Sequence, residues 1–239
     1  DRSVSRGLGD VYKRQTYEQE QKRLSELKAL QSQINPHFLY NTLDSIIWMA
    51  EGGKTKEVVL MTSSLARLLR QSISNEDELV SIKREVDYAG SYLTIQKMRY
   101  QDKMEFEIDV EKEILEQRII KLVLQPVVEN AIYHGIKYKE GKGLIKITGV
   151  HRSGCIFLTV YDNGKGMEQE VLDRILEPGT GNEQKAKSGI GIGNVQMRLQ
   201  LYYGKEYGIS YKSVPGEGTA ATIKIPFAGE EVHKDEGEK

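Results

Sequence analysis

Between Tyr100 and Met104 the spacing of apolar residues changes from three-and-four to two, and this change divides the chain. Met104, Phe106, Ile108 and Val110 alternate with Glu105, Glu107 and Asp109, the pattern of a half-buried strand. From Thr16 up to it the chain reads as helices separated by short breaks. Leu24, Leu27, Leu30 and Ile34 step along one face, and Phe38, Leu39, Leu43, Ile46 and Ile47 resume the pattern. Pro36 removes a backbone donor and crowds the preceding turn, so a kink is expected near Asn35. Gly52-Gly53 ends this helix, and a second spans Thr55 to about Ser74, with Val58, Val59, Met61, Leu65, Leu68 and Leu69 on its apolar side. Two helices joined by so short a turn form an antiparallel hairpin. One hairpin leaves much apolar surface uncovered, and pairing with a second copy gives a four-helix bundle.

A polar break at 75–78 precedes a third helix from Ser81 to about Tyr100. After the first strand, Ile119 to Ile136 reads as helix. Leu144–Val150, Ile156–Tyr161, Gly208–Ser213 and Thr219–Ile225 read as strands, with short helices at Glu168–Leu176 and Gly193–Tyr203. The fold class is α+β: a helical hairpin module, then a domain with a mixed or antiparallel sheet. The acidic, polar stretch after Phe227 has the composition of a disordered tail.

Composition narrows the function. Hydrophobic residues make up 38% and charged residues 29%, a globular balance. The net charge of −1 gives no whole-chain field for nucleic acid or anionic lipid, so no nucleic-acid partner is expected. Cys155 is the single cysteine, which excludes an internal disulfide and a multi-cysteine zinc site. No apolar run approaches the roughly 20 residues that cross a bilayer. The first residues stand apart. Ser5 to Gln15 reads SRGLGDVYKRQ, which resembles a reading frame of a transposon-type sequencing adapter. Residues 1–15 are therefore set aside from the fold, and the natural reading frame is expected to begin upstream.

Four patches can carry chemistry, and each is open to a plainer reading. His37, in Gln33-Ile34-Asn35-Pro36-His37-Phe38-Leu39-Tyr40-Asn41, is either an ordinary helix histidine or a neutral imidazole nucleophile beside a proline-broken turn. Glu129 and Asn130, consecutive polar residues inside the apolar run Leu124–Gly135, form either an internal hydrogen-bond network or a site where Asn130 offers Mg²⁺ a hard oxygen. Asp162-Asn163-Gly164-Lys165-Gly166 follows a strand and reads as a hairpin turn or as a loop that a ligand approaches closely. Gly189-Ile190-Gly191-Ile192-Gly193 precedes a helix and reads as a linker or as a cradle for phosphate. No Gly-Lys-Ser/Thr follows it, and no strand-helix-strand unit surrounds it, so neither the P-loop nor the dinucleotide fingerprint fits.

In this order and spacing, the four patches resemble the sensor histidine kinases with an NPHFLYN phosphoacceptor motif, the LytS-type and especially the YesM-type group. The resemblance runs from about Leu24 to Phe227 and takes in YLTIQKMRY at 92–100, LQPVVENAIYHG at 124–135 and Gly218-Thr219. It implies a dimerisation and phosphotransfer module followed by an ATP-binding α/β sandwich of the Bergerat (GHKL) type. By motif, His37 is the autophosphorylated residue. Asn130 holds Mg²⁺, and Glu129 orients or deprotonates nearby groups. Asp162 accepts the adenine amino group, Gly164 and Gly166 admit the base, and Gly189, Gly191 and Gly193 form a lid over the phosphates. Thr219 binds a water beside Asp162. His134 also falls among the nucleotide-binding positions. Tyr133 stands where family members commonly carry a phosphate-reaching lysine, so Lys137 or Lys139 is expected to supply that cation. Asn41 lies one helical turn from His37. It either aligns a water for phospho-aspartate hydrolysis, as the resemblance implies, or hydrogen-bonds the kinked backbone.

The resulting expectation is an ATP- and Mg²⁺-dependent protein-histidine kinase, a homodimer, that passes its phosphoryl group to the receiver domain of a response regulator. Its segments are 1–15, adapter-encoded; 16–75, dimerisation and phosphotransfer helices; 76–228, ATP domain; and 229–239, tail. This region is expected to be soluble and cytoplasmic, and the parent protein to reach the bacterial membrane only through a missing N-terminal sensor. The rival readings are a noncatalytic nucleotide-gated binding protein and an ATPase of the same superfamily that uses water.

Overall fold

The structure, a computed structural model, describes residues 36–73, 78–137, 139–175 and 191–227, with backbone alone at 72–73 and 173–175. The adapter-like segment, the leucine ladder at 24–34, the kink near Asn35, Gly189 and the acidic tail lie outside these residues.

Helix α1 (Pro36–Glu51) and α2 (Thr55–Ile73) form the expected hairpin. The turn closes because Gly53 adopts φ +69°, while the amides of Gly52 and Lys54 bond back to Trp48 and Met49 carbonyls at 3.1 and 2.9 Å. Met61, Leu65 and Leu68 of α2 are buried, and α2 lies along helix α3 (Ile82–Tyr100). Part of the hairpin's apolar surface is thus covered within one chain. Another part is not: Tyr40, Leu43, Ile47 and Trp48 of α1 and Val59 and Leu60 of α2 remain exposed.

Strand β1 (Leu79–Ser81) leads into α3, and the Ser81 hydroxyl caps that helix by accepting from the Arg84 amide at 3.3 Å. Beyond β2 (Met104–Val110), the structure corrects the reading of Ile119 to Ile136 as one helix. Arg118–Ile120 is instead strand β3, antiparallel to β1 with Leu79 opposite Ile120. Helix α4 begins only at Leu124, and runs to Asn130. The reason is local. Leu122 sits at φ +60°, which breaks the chain direction, and the Glu85 carboxylate reaches over from α3 to accept the amides of Leu122, Val123 and Leu124 at 2.8, 3.0 and 3.0 Å. A carboxylate on these first amides of a helix satisfies donors that the helix leaves over. Its partner is about 38 residues away in sequence, so no local pattern announces it.

The main sheet has the order β2-β4-β5-β7-β6, where β4 is Gly143–Arg152, β5 Cys155–Asp162, β6 Gly208–Val214 and β7 Gly218–Pro226. β2 and β4 are parallel and every other pair is antiparallel, so the sheet is mixed. Alternation sends Ile145, Ile147, Ile156, Leu158, Val160, Ala221, Ile223 and Ile225 to one buried face. Helices α3 and α4 and the later α6 (Ile192–Tyr203) pack on the sheet or on one another there, with the short α5 (Gln169–Ile175) between β5 and α6. The opposite face carries Thr159 and Thr222, whose hydroxyls meet at 2.9 Å, and the ion pairs Lys142–Glu105 and Lys146–Glu107 at 3.1 and 3.2 Å. No helix among the described residues is long and apolar enough to cross a membrane.

Candidate functional site

A cavity of about 710 Å³ opens between the C-terminal end of α4, the neighbouring strands β5 and β7 and the edge strand β6. Its size is that of a site for a nucleotide-sized ligand. Val127, Asn130, Ala131 and His134 line one wall. Their spacing of three, four and seven places them on one helical face. Glu129, one residue from Asn130, turns about 100° away. Its carboxylate accepts from the Gln125 amide at 2.7 Å, one turn back, and it is not among the cavity's lining residues. Burial pushes the Glu129 carboxyl above its usual range, with the Gln125 bond opposing that rise. Burial raises the pKa of Tyr92, and the Glu129 carboxylate adds to that rise.

After Asn130 the helix widens into a π-helical turn over Ala131–Ile136. Such turns recur at functional sites because they redirect side chains within a continuous helix. Here the turn also brings Gly135 onto Asp162 and Gly164. A Cβ on Gly135 would lie 2.3 Å from Asp162 Oδ1, and one on Gly164 would lie 2.4 Å from the Gly135 backbone. Gly164 therefore serves this backbone-to-backbone approach and does not itself line the cavity, whereas Gly166 does. Gly166 adopts φ +67° and passes so close to the Val214 carbonyl that a side chain has no room.

Asp162 is 3% exposed, at the end of β5. Its Oδ1 accepts the Gly164 amide at 2.9 Å. Burial raises the carboxyl to about 6, against the opposing effects of that bond and of the Lys139 charge. Pairing of β5 with β7 sets Thr219 directly opposite Asp162, and the Thr219 hydroxyl meets that of Ser213 at 2.9 Å. The cavity thus gathers Asn130, His134, Asp162, Gly166 and Thr219 of the sequence candidates.

The remaining candidates lie elsewhere. Lys137 is exposed, over the Tyr133 ring at 5.5 Å, and Lys139 donates to the Asn163 carbonyl at 2.5 Å. The cation that does line the cavity is Lys165. Gly191 precedes α6, and Gly193 lies inside its first turn rather than in a loop. His37 is exposed on α1, away from the cavity's lining, while the adjacent Phe38 is buried with its ring 5.0 Å from that of Tyr92. The Asn41 amide nitrogen stands 3.1 Å from His37 Nδ1 and 3.2 Å from Nε2. Asn41 thus addresses the imidazole. Tyr211, on β6, is a cavity residue that the sequence reading missed. Strand alternation puts it on the inner face with Ile209 and Ser213, but its approach to α4 appears only once the sheet is assembled.

Comparison with known proteins agrees with this layout. The histidine kinase family model matches residues 25–104, and the model of histidine kinase-, DNA gyrase B-, and HSP90-like ATPases matches 116–229. The chain is 40% identical over 208 residues to the sensor histidine kinase YesM of Bacillus subtilis, covering 87% of this chain and 34% of YesM. It is 34% identical over 208 residues to YwpD of Bacillus subtilis, covering 85% of this chain and 70% of that protein. The sensor protein LytS of Bacillus anthracis is 29% identical over 204 residues, 84% of this chain and 34% of LytS. The chain therefore spans about a third of the length of YesM and LytS.

Proposed function

The chain belongs to the sensor histidine kinases of the LytS/YesM type, whose architecture is that of two-component systems, and from that premise we propose that it phosphorylates itself on His37 and passes the phosphoryl group to an aspartate of a response regulator's receiver domain. The observation that carries the proposal is the meeting of Asn130, Asp162 and Thr219, from three different elements, around one cavity.

In this reading the ionised Asp162 accepts the adenine amino group. A guanine would present a carbonyl there, against a carboxylate that cannot donate. Thr219, across the strand pair, is set to hold a water between itself and the base. Lys165 and His134 stand at the wall where the phosphates would extend. Asn130 is the residue that would hold Mg²⁺, which supplies positive charge against the phosphate oxygens when bound. An amide oxygen is a hard donor of the kind that ion takes, so the donor set fits.

His37 supplies the lone pair. Its Nε2 attacks the γ-phosphorus in line, the N–P bond forms, the P–O bond to ADP breaks, and the imidazolium, on an exposed side chain, gives its surplus proton to water. Asn41 is placed to fix the ring's orientation through its amide nitrogen, 3.1 Å from Nδ1 and 3.2 Å from Nε2. Glu129 is removed from the cavity but lies beside Tyr92, against which Phe38 packs, so its part is on the side where the hairpin docks. The exposed stripe of Tyr40, Leu43, Ile47 and Trp48 supports a homodimer closed as a four-helix bundle. Incubation with γ-labelled ATP tests the proposal. Acid-labile label on the protein, transferable to a receiver domain, is expected; release of free phosphate alone would favour a water-using ATPase, and neither outcome would leave only nucleotide binding.

A further inference from the structure

Tyr211 and Asn130 both line the cavity. The Tyr211 hydroxyl oxygen is shut off from solvent and has no well-aligned hydrogen-bond partner among the described residues. A buried hydroxyl left in this state costs about 1–3 kcal/mol, so a fold that keeps one has a use for it or closes the bond in another state. Because the oxygen has essentially no accessible surface, a ligand in the cavity does not reach it without moving protein atoms. Its partner must come from the protein. The Asn130 side chain stands beside it, near enough to act on the phenol, with the Asp162 carboxylate also in range. Asp162 already accepts the Gly164 amide and is the group directed at the base. Asn130 is the neighbour with a donor to offer.

An asparagine amide has two chemically opposite ends of nearly equal size. A cation requires the oxygen end, and a site that leaves the amide free to turn presents the wrong end part of the time. An acceptor behind the nitrogen removes that freedom. We infer that Tyr211 is a positioning residue for Asn130: its hydroxyl oxygen accepts the amide N–H, so that the amide oxygen faces the cavity. The inference rests on the reading of the cavity as an Mg²⁺·ATP site. It concerns only the metal-dependent part of binding, because the base is held at Asp162 and Thr219 on the other strands.

The test is ATP affinity measured calorimetrically with EDTA and with Mg²⁺, for the wild-type chain and Tyr211→Phe, each checked by thermal melting. With EDTA the two proteins should agree within about twofold, whereas the gain in affinity on adding Mg²⁺ should be at least about fivefold smaller in the variant, the size of one lost hydrogen bond. At saturating ATP, the Mg²⁺ concentration for half-maximal autophosphorylation should rise by a similar factor. Should Tyr211→Phe not fold, Tyr211→Met, which also lacks the hydroxyl, takes its place. An undiminished Mg²⁺ gain in a folded variant overturns the inference, and so does an equal loss with and without Mg²⁺, which would make the ring a wall for the base. A wild-type chain that binds ATP equally well with and without Mg²⁺, or not at all, would instead overturn the reading of the site itself.

Discussion

His37 and Asp162 are opposite kinds of functional position. His37 lies exposed on a helix, and the polar group set against its ring, Asn41, is four residues away. Asp162 is 3% exposed, and its surroundings come from Gly135, Gly164 and Thr219, on three different elements. An exposed imidazole on one helix would, on the proposed function, be accessible to two successive partners, a phosphate donor and then a receiver. A buried carboxylate can discriminate a base, because a hydrogen bond lost in a closed site is not replaced by water. The difference predicts that the two regions fail separately.

The largest effect should come from the cavity. Asn130→Ala removes the oxygen assigned to Mg²⁺, and Mg²⁺·ATP binding, followed calorimetrically, should weaken by more than about tenfold while the hairpin's helical signal is unchanged. Retained affinity would detach Asn130 from the nucleotide. Gly135→Ala should follow. Its new Cβ would sit 2.3 Å from Asp162 Oδ1, so either the π-helical turn or the carboxylate must shift. A destabilisation of about 1–3 kcal/mol in urea unfolding, together with weakened ATP binding, is expected. Stability equal to wild type would show the approach to be looser than drawn.

Acidity separates the regions without mutation. Burial pushes the Asp162 carboxyl up to about 6. If the ionised form binds the adenine amino group, ATP affinity should fall by roughly tenfold from pH 7.5 to pH 5, and Asp162→Asn should flatten that profile. The sign for stability is reversed. A folded pKa raised above the ordinary value of 3.8 favours protonation in the folded state, so this group's contribution makes the ligand-free protein more stable as pH falls from about 6 towards 4. An affinity that stays level across this range would remove Asp162 from contact with the base. The smallest effect belongs to the hairpin. Asn41→Ala removes the partner that fixes the imidazole, and autophosphorylation should slow about fivefold with the KM for ATP unchanged. A raised KM would place Asn41 with the nucleotide instead.

What was legible in sequence follows the same division. The hairpin, α3 and the strands show in apolar periodicity because each buries one face by a local rule. The NPHFLYN run shows because the histidine and its asparagine share one helix. The helix proposed for 119–136 failed because β3 and the start of α4 depend on Glu85 and on the left-handed turn at Leu122, a contact between distant segments. Lys137 and Lys139 are expected from the resemblance, as stand-ins for the lysine that family members commonly carry at the position of Tyr133, whereas the lysine in the cavity's lining, Lys165, comes from the loop after β5 and is brought there only by the assembled fold. Tyr211 carried no signal beyond strand alternation, since its neighbour Asn130 is 81 positions earlier and meets it only across the assembled sheet edge. Asp162 and Thr219 are candidates by motif, and the register of β5 with β7 supplies the physical reason that they share one cavity.

The central claim is that the phosphoryl acceptor and the nucleotide site belong to separate parts of the chain. ATP affinity of His37→Gln, measured by calorimetry in Mg²⁺, tests it directly. The claim predicts a variant that accepts no label yet binds ATP within about threefold of wild type, a difference under ~1 kcal/mol. Loss of ATP binding together with the label would contradict it.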